Sequence, residues 1–339
     1  MATIYDIARA AGVHPSTVSY ALSGKGTLSH QTRERVIECA QQLGYRPNYV
    51  ARSLIKRETK TLGLIVPDIS HPFYAEVAQA AERVAHDKGY RVFVASTLHD
   101  EQLGRELLDD LSARWVDGVI ATPGGLSVGA IREARGAGLP LLCCFWEEAK
   151  VCMPMAVELD FEAGGRMAAE HLWSLGHRRL GLVTDLRDGS PPDHHLRVTG
   201  FKNAIEVKGQ VLEQSLVRVG KSSVEMGRAL ALELLELAEP PTAIFATNDL
   251  LAMGVLTAAW ARGVHVPTEL SVVGFDDLVT AAYSVPPLTT VRVDKAEVVA
   301  MTLDSLLMPL AGEVRSRPIL LAPTLVVRHS TTGVSTRVG

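Results

Sequence analysis

Ser16 and Tyr20 stand four residues apart, with Pro15 before them and Thr17 and Ser19 between, in the run Thr3-Ile4-Tyr5-Asp6-Ile7-Ala8-Arg9-Ala10-Ala11-Gly12-Val13-His14-Pro15-Ser16-Thr17-Val18-Ser19-Tyr20-Ala21-Leu22. On a helix such a pair shares one face. A serine hydroxyl can bond several base edges, and tyrosine adds a hydroxyl and an apolar ring. Thr17 and Ser19 suit phosphate oxygens, contacts that position a protein without specifying sequence. Hydrogen bonding to a nucleic acid is the chemistry this set could do. The elements that must position it are two short amphipathic helices meeting at Gly12, with small Ala8 where they cross. That is a helix-turn-helix, whose second helix lies in a DNA major groove. Val18 and Leu22 are expected to point the other way, into the core of the unit.

Other candidate chemistries are thinner. Gly125-Leu126-Ser127-Val128-Gly129 matches the G-x-S-x-G elbow of hydrolases. Pro123 and Gly124 stand between the preceding strand and the motif, where an elbow needs a direct strand-to-turn passage, so Ser127 is read near a helix start. Asp193, His194 and His195 could suggest a metal, but no matching ligand cluster accompanies them, and a loop lining a cleft is the favoured reading. No G-x-G-x-x-G after a strand, Walker loop or H-E-x-x-H occurs, and no cofactor is expected. Cys39, Cys143, Cys144 and Cys152 form no C-x-x-C pair and read as buried free thiols of a reducing compartment.

The chain has 339 residues, 47 % hydrophobic, and a net charge of −4. That charge is unevenly spread: residues 1–60 carry +5 and the remainder −9. A basic head on an acidic body is the electrostatic pattern of a DNA-binding module joined to something else. No apolar run is long enough to span a bilayer, and Met1 leads straight into a charged amphipathic helix; a cytosolic protein with no membrane partner is expected.

Residues 3–45 predict three helices, the third over 31–43 with Val36, Ile37, Ala40 and Leu43 at helical spacing, ended by Gly44. Pro47 breaks the chain, and Asn48 can cap a short helix that orders only against a partner. From Thr61 short apolar strands alternate with helices. The strand candidates span 62–66, 91–95, 118–122, 141–145, 180–183, 243–246 and 271–274; helices are predicted over 75–88 and 163–175. Such alternation gives parallel sheets covered by helices on both faces, and the number of units predicts two doubly wound lobes.

These residues resemble the lactose-repressor (LacI) family of bacterial transcription regulators over nearly the whole chain. The match runs from Thr3–Ala8 and Val18-Ser19 through Gly44-Tyr45-Arg46-Pro47-Asn48, Ala51-Arg52-Ser53-Leu54 and Thr61–Pro67 to His71-Pro72-Phe73-Tyr74. It continues with Leu175–Arg179, Arg197-Val198-Thr199-Gly200-Phe201, Ala246-Thr247-Asn248-Asp249, Val266-Pro267, Ser271–Asp277 and Pro287–Val291. The spacing is close to that of the purine-repressor branch. The implied fold is α plus α/β: a three-helix helix-turn-helix head (1–46), a hinge helix and linker (47–60), and a two-lobed, periplasmic-binding-protein-like core of doubly wound parallel sheets (61–339). Crossings between lobes are implied near residues 160, 290 and 322.

The resemblance also implies roles. Pro15, Ser16 and Tyr20 would read bases. Hinge residues 48–56, including Asn48, Leu54 and Ile55, would enter the minor groove as a pair of helices, with Leu54 wedged between base pairs. Ile55 stands where the family often has a basic residue. A twofold dimer would read a palindromic double-stranded operator. A small-molecule effector would sit in the interlobe cleft among Phe73, Tyr74, Arg197, Asn248 and Asp276, with Trp146 and Lys221 as this chain's departures. Phe145 stands where many members have Asp, Lys221 where an aromatic residue packs on the ligand, and Pro191-Pro192-Asp193-His194-His195 leads into Arg197. An apolar site with added Lys and His suits an acidic or aromatic effector nearly as well as the slightly favoured sugar. Two other classes remain open: a serine hydrolase using Ser127, and a transporter's solute-binding protein, which shares the two-lobed fold but needs export.

Overall fold

The computed structural model describes residues 2–23, 27–45, 58–113, 116–147, 154–185, 195–308 and 318–334. Two compact units divide the chain, Met1–Thr59 and Lys60–Gly339.

In the first unit, α1 (Ile4–Ala11), α2 (Pro15–Ser23) and α3 (His30–Gln42) pack around Ile7, Ala8, Ala11, Val18, Ala21, Val36 and Ala40. The start of α1 is a capping box: Asp6 N–H donates to Thr3 Oγ1 at 3.3 Å, and Thr3 N–H donates to Asp6 Oδ2 at 2.9 Å. Hydrogen bonds from the Thr3 side chain and backbone hold the Asp6 carboxyl below its ordinary range. Gly12, at φ 63°, ends α1 in the left-handed region that glycine adopts without strain. Leu22 is half-buried against the core.

Of the four α3 residues at helical spacing, Val36 and Ala40 are buried, and Ile37 and Leu43 are exposed. Leu43 caps the helix rather than continuing it. Beyond it Gly44 N–H donates to Gln41 O at 3.0 Å and Tyr45 N–H to Ala40 O at 2.9 Å. This Schellman turn swings Tyr45 onto the core. Ile37 lies one residue, and so about 100°, off the Val36–Ala40 stripe.

The second unit holds two lobes. In the first, β1 (Thr61–Val66), β2 (Arg91–Ser96), β3 (Gly118–Ala121) and β4 (Leu141–Cys143) form a parallel sheet in the order β2-β1-β3-β4. Helices α4 (Pro72–Asp87), α5 (Glu101–Ala113) and α6 (Val128–Gly136) follow β1, β2 and β3. The expected strand over 141–145 stops at Cys143, because Phe145 takes φ 60°.

In the second lobe, β6 (Leu180–Asp185), β7 (Val217–Gly220), β8 (Ala243–Ala246), β9 (Ser271–Asp276), β10 (Thr289–Arg292) and β12 (Thr324–Val326) pair in the order β12-β10-β9-β8-β6-β7. All pairs are parallel except β10–β12. Around them lie α7 (Phe161–Ser174), α8 (Leu196–Val207), α9 (Val224–Leu235) and α10 (Asp249–Ala261).

The chain crosses between lobes three times: through β5 (Val157–Leu159), after β10 into α11 (Lys295–Leu307), which packs on α4 of the first lobe, and back through β11 (Ile319–Leu321). Strands β5 and β11 pair with each other in parallel. The strands β5, β7, β10, β11 and β12 are not foreseen from the sequence. Three of them have only three residues, β7 lies half-exposed at a sheet edge, and β10 is Thr-Thr-Val-Arg, too polar to read as a buried strand.

Helices α7 and α8 approach closely enough to require two glycines. A Cβ on Gly165 would lie 1.9 Å from the Arg197 carbonyl oxygen, and one on Gly200 1.9 Å from the Glu162 carbonyl oxygen. This crossing fixes the first turn of α8, where Arg197 sits.

Near the C-terminus, His177 ties the tail to the sheet. Its Nε2–H donates to Thr332 O at 3.0 Å, so Nδ1, 3.0 Å from Thr242 Oγ1, accepts. His171 Nε2 lies 3.0 Å from Thr331 Oγ1. Burial pushes both imidazoles below the ordinary histidine range.

Two outcomes follow from this packing. Gly200→Ala should lower stability by about 3 kcal/mol through forced separation of α7 and α8, read as a fall in Tm. The folded state favours neutral His177, whereas the unfolded chain takes up the proton near pH ~6.5. Stability is therefore full above that value and is lost as pH falls below it. His177→Gln should flatten the dependence of Tm on pH between about 7.5 and 5 relative to wild type.

Candidate functional site

In the head, the inward face of α2 is Val18 and Ala21. The outward face carries Ser16, Ser19 and Tyr20, all exposed, with Pro15 and Thr17 half-buried beside them. Pro15 occupies the first position of α2, where its missing N–H costs nothing. The structure thus puts the five head candidates on and beside one accessible surface. Asn48, Leu54 and Ile55 lie outside the described residues.

In the core, Arg197 lies buried where the two lobes meet, with Asp276 beside it. Its side chain is only 4 % exposed. The backbone N–H and Nε–H of Arg197 both donate to Glu147 Oε1, at 3.0 and 3.1 Å, and Nε is 3.0 Å from Glu147 Oε2. Nη1 donates to Thr247 O at 2.5 Å and stands 3.6 Å from Asp276 Oδ1. The guanidinium carbon lies 4.2 Å from the Phe275 ring centre and 4.9 Å from that of Phe161. Stacking on aromatic rings adds cation–π attraction to the ion pair.

Glu147 follows β4 in the first lobe, whereas Arg197 opens α8 in the second, so the two lobes are joined by a buried ion pair. Sequence reasoning missed Glu147. It chose the neighbouring Trp146, which instead packs into the apolar cluster of Ile65, Val119 and Ile131 inside the first lobe. A carboxylate in a strongly apolar strand-end run, Cys143-Cys144-Phe145-Trp146-Glu147, was the available signal.

Around this pair the other candidates take definite places. Asn248 is buried and caps α10, its Oδ1 accepting from Leu251 N–H at 2.9 Å. Asp276 ends β9 at φ 108°, an unfavourable backbone for a residue with a Cβ. Lys295 Nζ donates to the Asp276 carbonyl at 2.7 Å. Asp249 is sealed behind it: Leu278 N–H and Thr290 Oγ1–H donate to its carboxylate at 2.7 and 2.6 Å. Burial first, and the Asp276 charge second, push the Asp249 carboxyl well above the usual carboxylate range. Asp185, at the end of β6, accepts from Thr247 Oγ1–H at 3.1 Å.

Phe73 and Tyr74 lie in the first turn of α4. Phe73 is buried, edge-on to Phe145 at 5.1 Å, and Tyr74 is half-buried. Lys221 is exposed on the loop after β7 and does not join the group. Beside it, Ser222 Oγ lies 3.2 Å from His71 Nε2 across the lobes. A third link runs from Val279 N–H to Glu76 Oε1 at 2.9 Å.

The arrangement offers fixed hydrogen-bonding groups and aromatic walls. Ser127 caps α6, its Oγ accepting from Ala130 N–H at 3.3 Å, as a helix-start serine does. Asp193 and His194 lie outside the described residues, and His195 is buried at the N-terminus of α8. Among the described residues no group of three potential ligands gathers for a metal ion. Burial pushes the Cys143 thiol up to about 12, which leaves it inert at neutral pH. No helix of the described residues is long and apolar enough to cross a membrane.

Comparison with known proteins accounts for both units. Residues 3–48 match the family of bacterial regulatory proteins called the lacI family, and residues 169–331 match a periplasmic binding protein-like domain. The HTH-type transcriptional regulator DegA of Bacillus subtilis is 36 % identical, over 98 % of this chain and 99 % of its own length. The catabolite control protein A of Priestia megaterium is 34 % identical over 85 % of this chain and 86 % of its own. Among solved structures, the lac repressor dimer bound to operator and the anti-inducer ONPF superposes with a TM-score of 0.85 at 26 % identity, covering 98 % of this chain and 99 % of that one. With its exposed reading helix and its two-lobed, Arg197-centred core, the chain belongs to the LacI family of bacterial DNA-binding transcriptional regulators.

Proposed function

We propose that this protein is a cytoplasmic, non-enzymatic repressor that grips a palindromic operator as a homodimer and changes its grip when a neutral, hydroxyl-rich small molecule enters the interlobe cleft. The observation that carries this reading is the Arg197–Glu147 pair. It links the lobes through a guanidinium that an effector in the cleft would contact, so ligand binding and lobe arrangement bear on one group. Relatives support the setting: the lac repressor is a dimer on its operator, and a LacI family regulator from Enterococcus faecium, with a TM-score of 0.71 and 28 % identity, holds ribose.

The charge arrangement favours a neutral ligand over an anion. Glu147 already neutralises Arg197, and Asp276 stands beside it. An anionic effector would have to expel a buried carboxylate, and a displaced, unpaired buried charge costs several kcal/mol, on the order of 3–5. Of the Lys and His residues on which the acidic-effector alternative leaned, Lys221 is exposed.

On this reading residues 1–46 are the reading head, 47–60 the hinge and 61–339 the effector core. Pro15, Ser16 and Tyr20 face bases; Thr17 and Ser19 face phosphate; Asn48 caps the hinge helix. Leu54 wedges between base pairs, with Ile55 beside it in the minor groove, and unstacking is offset by the contacts the bend permits. Effector binding shifts the balance between two lobe arrangements only as far as its affinities for them differ. Release from the operator is the favoured sign.

A thermal-shift screen of sugars, nucleosides and organic acids should give its largest shift with a neutral, hydroxyl-rich compound. Arg197→Leu should abolish that shift. A hit confined to organic acids would reverse the effector assignment. Leu54→Ala should weaken operator binding at least tenfold, the equivalent of about 1.4 kcal/mol. Dimerisation, read by light scattering, and the effector-induced shift should both persist; unchanged operator affinity would remove Leu54 from the minor groove.

A further inference from the structure

The N-terminus of α2 carries an unusual cap. His14 precedes Pro15, in the position where Ser, Thr, Asp or Asn is preferred. Its ring supplies the capping acceptor instead, and the Ser16 backbone N–H donates to His14 Nδ1 at 3.4 Å. The same nitrogen lies 2.8 Å from Ser16 Oγ. A backbone N–H can only donate, so Nδ1 carries its lone pair and the ring proton is on Nε2. The Ser16 hydroxyl must then donate its single hydrogen to Nδ1. What remains on Ser16 Oγ is two lone pairs, which can only accept. Both His14 and Ser16 are exposed on the reading surface of the head.

From this geometry we infer that His14 is a specificity-determining positioning residue: by taking the Ser16 hydrogen it turns that hydroxyl into an obligate acceptor. The inference rests on the reading of Ser16 as a base-contacting residue and adds to it the chemistry of the base it selects. In the major groove adenine and cytosine present amino donors, N6 and N4. Guanine presents only acceptors there, and thymine an acceptor and a methyl group. An acceptor-only Ser16 therefore selects an amino-bearing base, adenine or cytosine, on the strand it faces, against guanine or thymine. Purine and pyrimidine are not distinguished. The position is read by base-pair orientation.

Selection of operators from a random inverted-repeat DNA library with the full-length protein tests this. Wild type should show, at one position of each half-site, adenine or cytosine favoured over guanine or thymine by about five- to tenfold, the scale of one mismatch. His14→Gly keeps a residue accepted at helix N-caps while deleting the acceptor. It should remove that preference and leave the rest of the half-site unchanged, which also shows that the head is folded. His14→Asn, whose Oδ1 can accept from the same hydroxyl and N–H, should restore it.

A merely structural His14 would lower affinity equally for all sequences, so an amino-base preference that survives in His14→Gly overturns the proposal. Ser16→Ala separates the two layers. If it leaves every position of the half-site unaltered, Ser16 does not read a base and both readings fail. If it alters that position while His14→Gly does not, only the role of His14 fails.

Discussion

A guanidinium buried against two aromatic rings and held by a carboxylate from the opposite lobe governs the core of this protein. Desolvating either charge alone is costly, and the Coulomb attraction offsets that cost only when geometry is good. Here the geometry is built from afar. Gly165 and Gly200 let α7 and α8 meet backbone to backbone, which sets where α8 begins. Phe161 at the start of α7 and Phe275 near the end of β9, packed on each other, then both meet the Arg197 guanidinium. Glu147 arrives from β4 only because the chain leaves the strand at Cys143 and takes a left-handed residue at Phe145. Residues from four elements thus converge on one cation.

Such a pair is a sound basis for a two-state device. Its strength depends on exclusion of water, so a modest separation of the lobes weakens it steeply, and the closed arrangement is favoured as a whole or not at all. The neighbouring links, His71 with Ser222 and Glu76 with Val279, lie nearer the surface and contribute register more than energy. Strain at Asp276 adds to the same picture. A non-glycine residue at φ 108° persists only where its surroundings over-determine it, here through the Lys295 contact to its carbonyl.

Much of the architecture was legible in the residues. The helix-turn-helix followed from Ala8, Gly12 and the spacing of Val18, because its core is local and repeats with helical period. Parallel lobes followed from apolar runs such as Leu62–Val66, since strands buried on both faces carry continuous apolar sequence. What escaped has a physical reason too. Strands as short as β5 and β11 are stabilised by pairing with distant chain, which no local pattern records. Leu43 is exposed although it keeps helical spacing, because a Schellman turn, not periodicity, decides which residue closes the helix end. The surroundings of Arg197 were readable only in part. Arg197, Asn248 and Asp276 stand in motifs, but Glu147 is defined by a partner fifty residues away, and Lys221 by a loop whose direction sequence does not give.

The pairing of β5 with β11 has a mechanical meaning. Two of the three passages between lobes are laced into a single ribbon by backbone hydrogen bonds, so they cannot lengthen or slip independently. Sliding one lobe across the other would tear that lacing, whereas swinging about it costs only small torsional changes at the ribbon's ends. The paired strands thus form a spine about which the two lobes can open like the covers of a book.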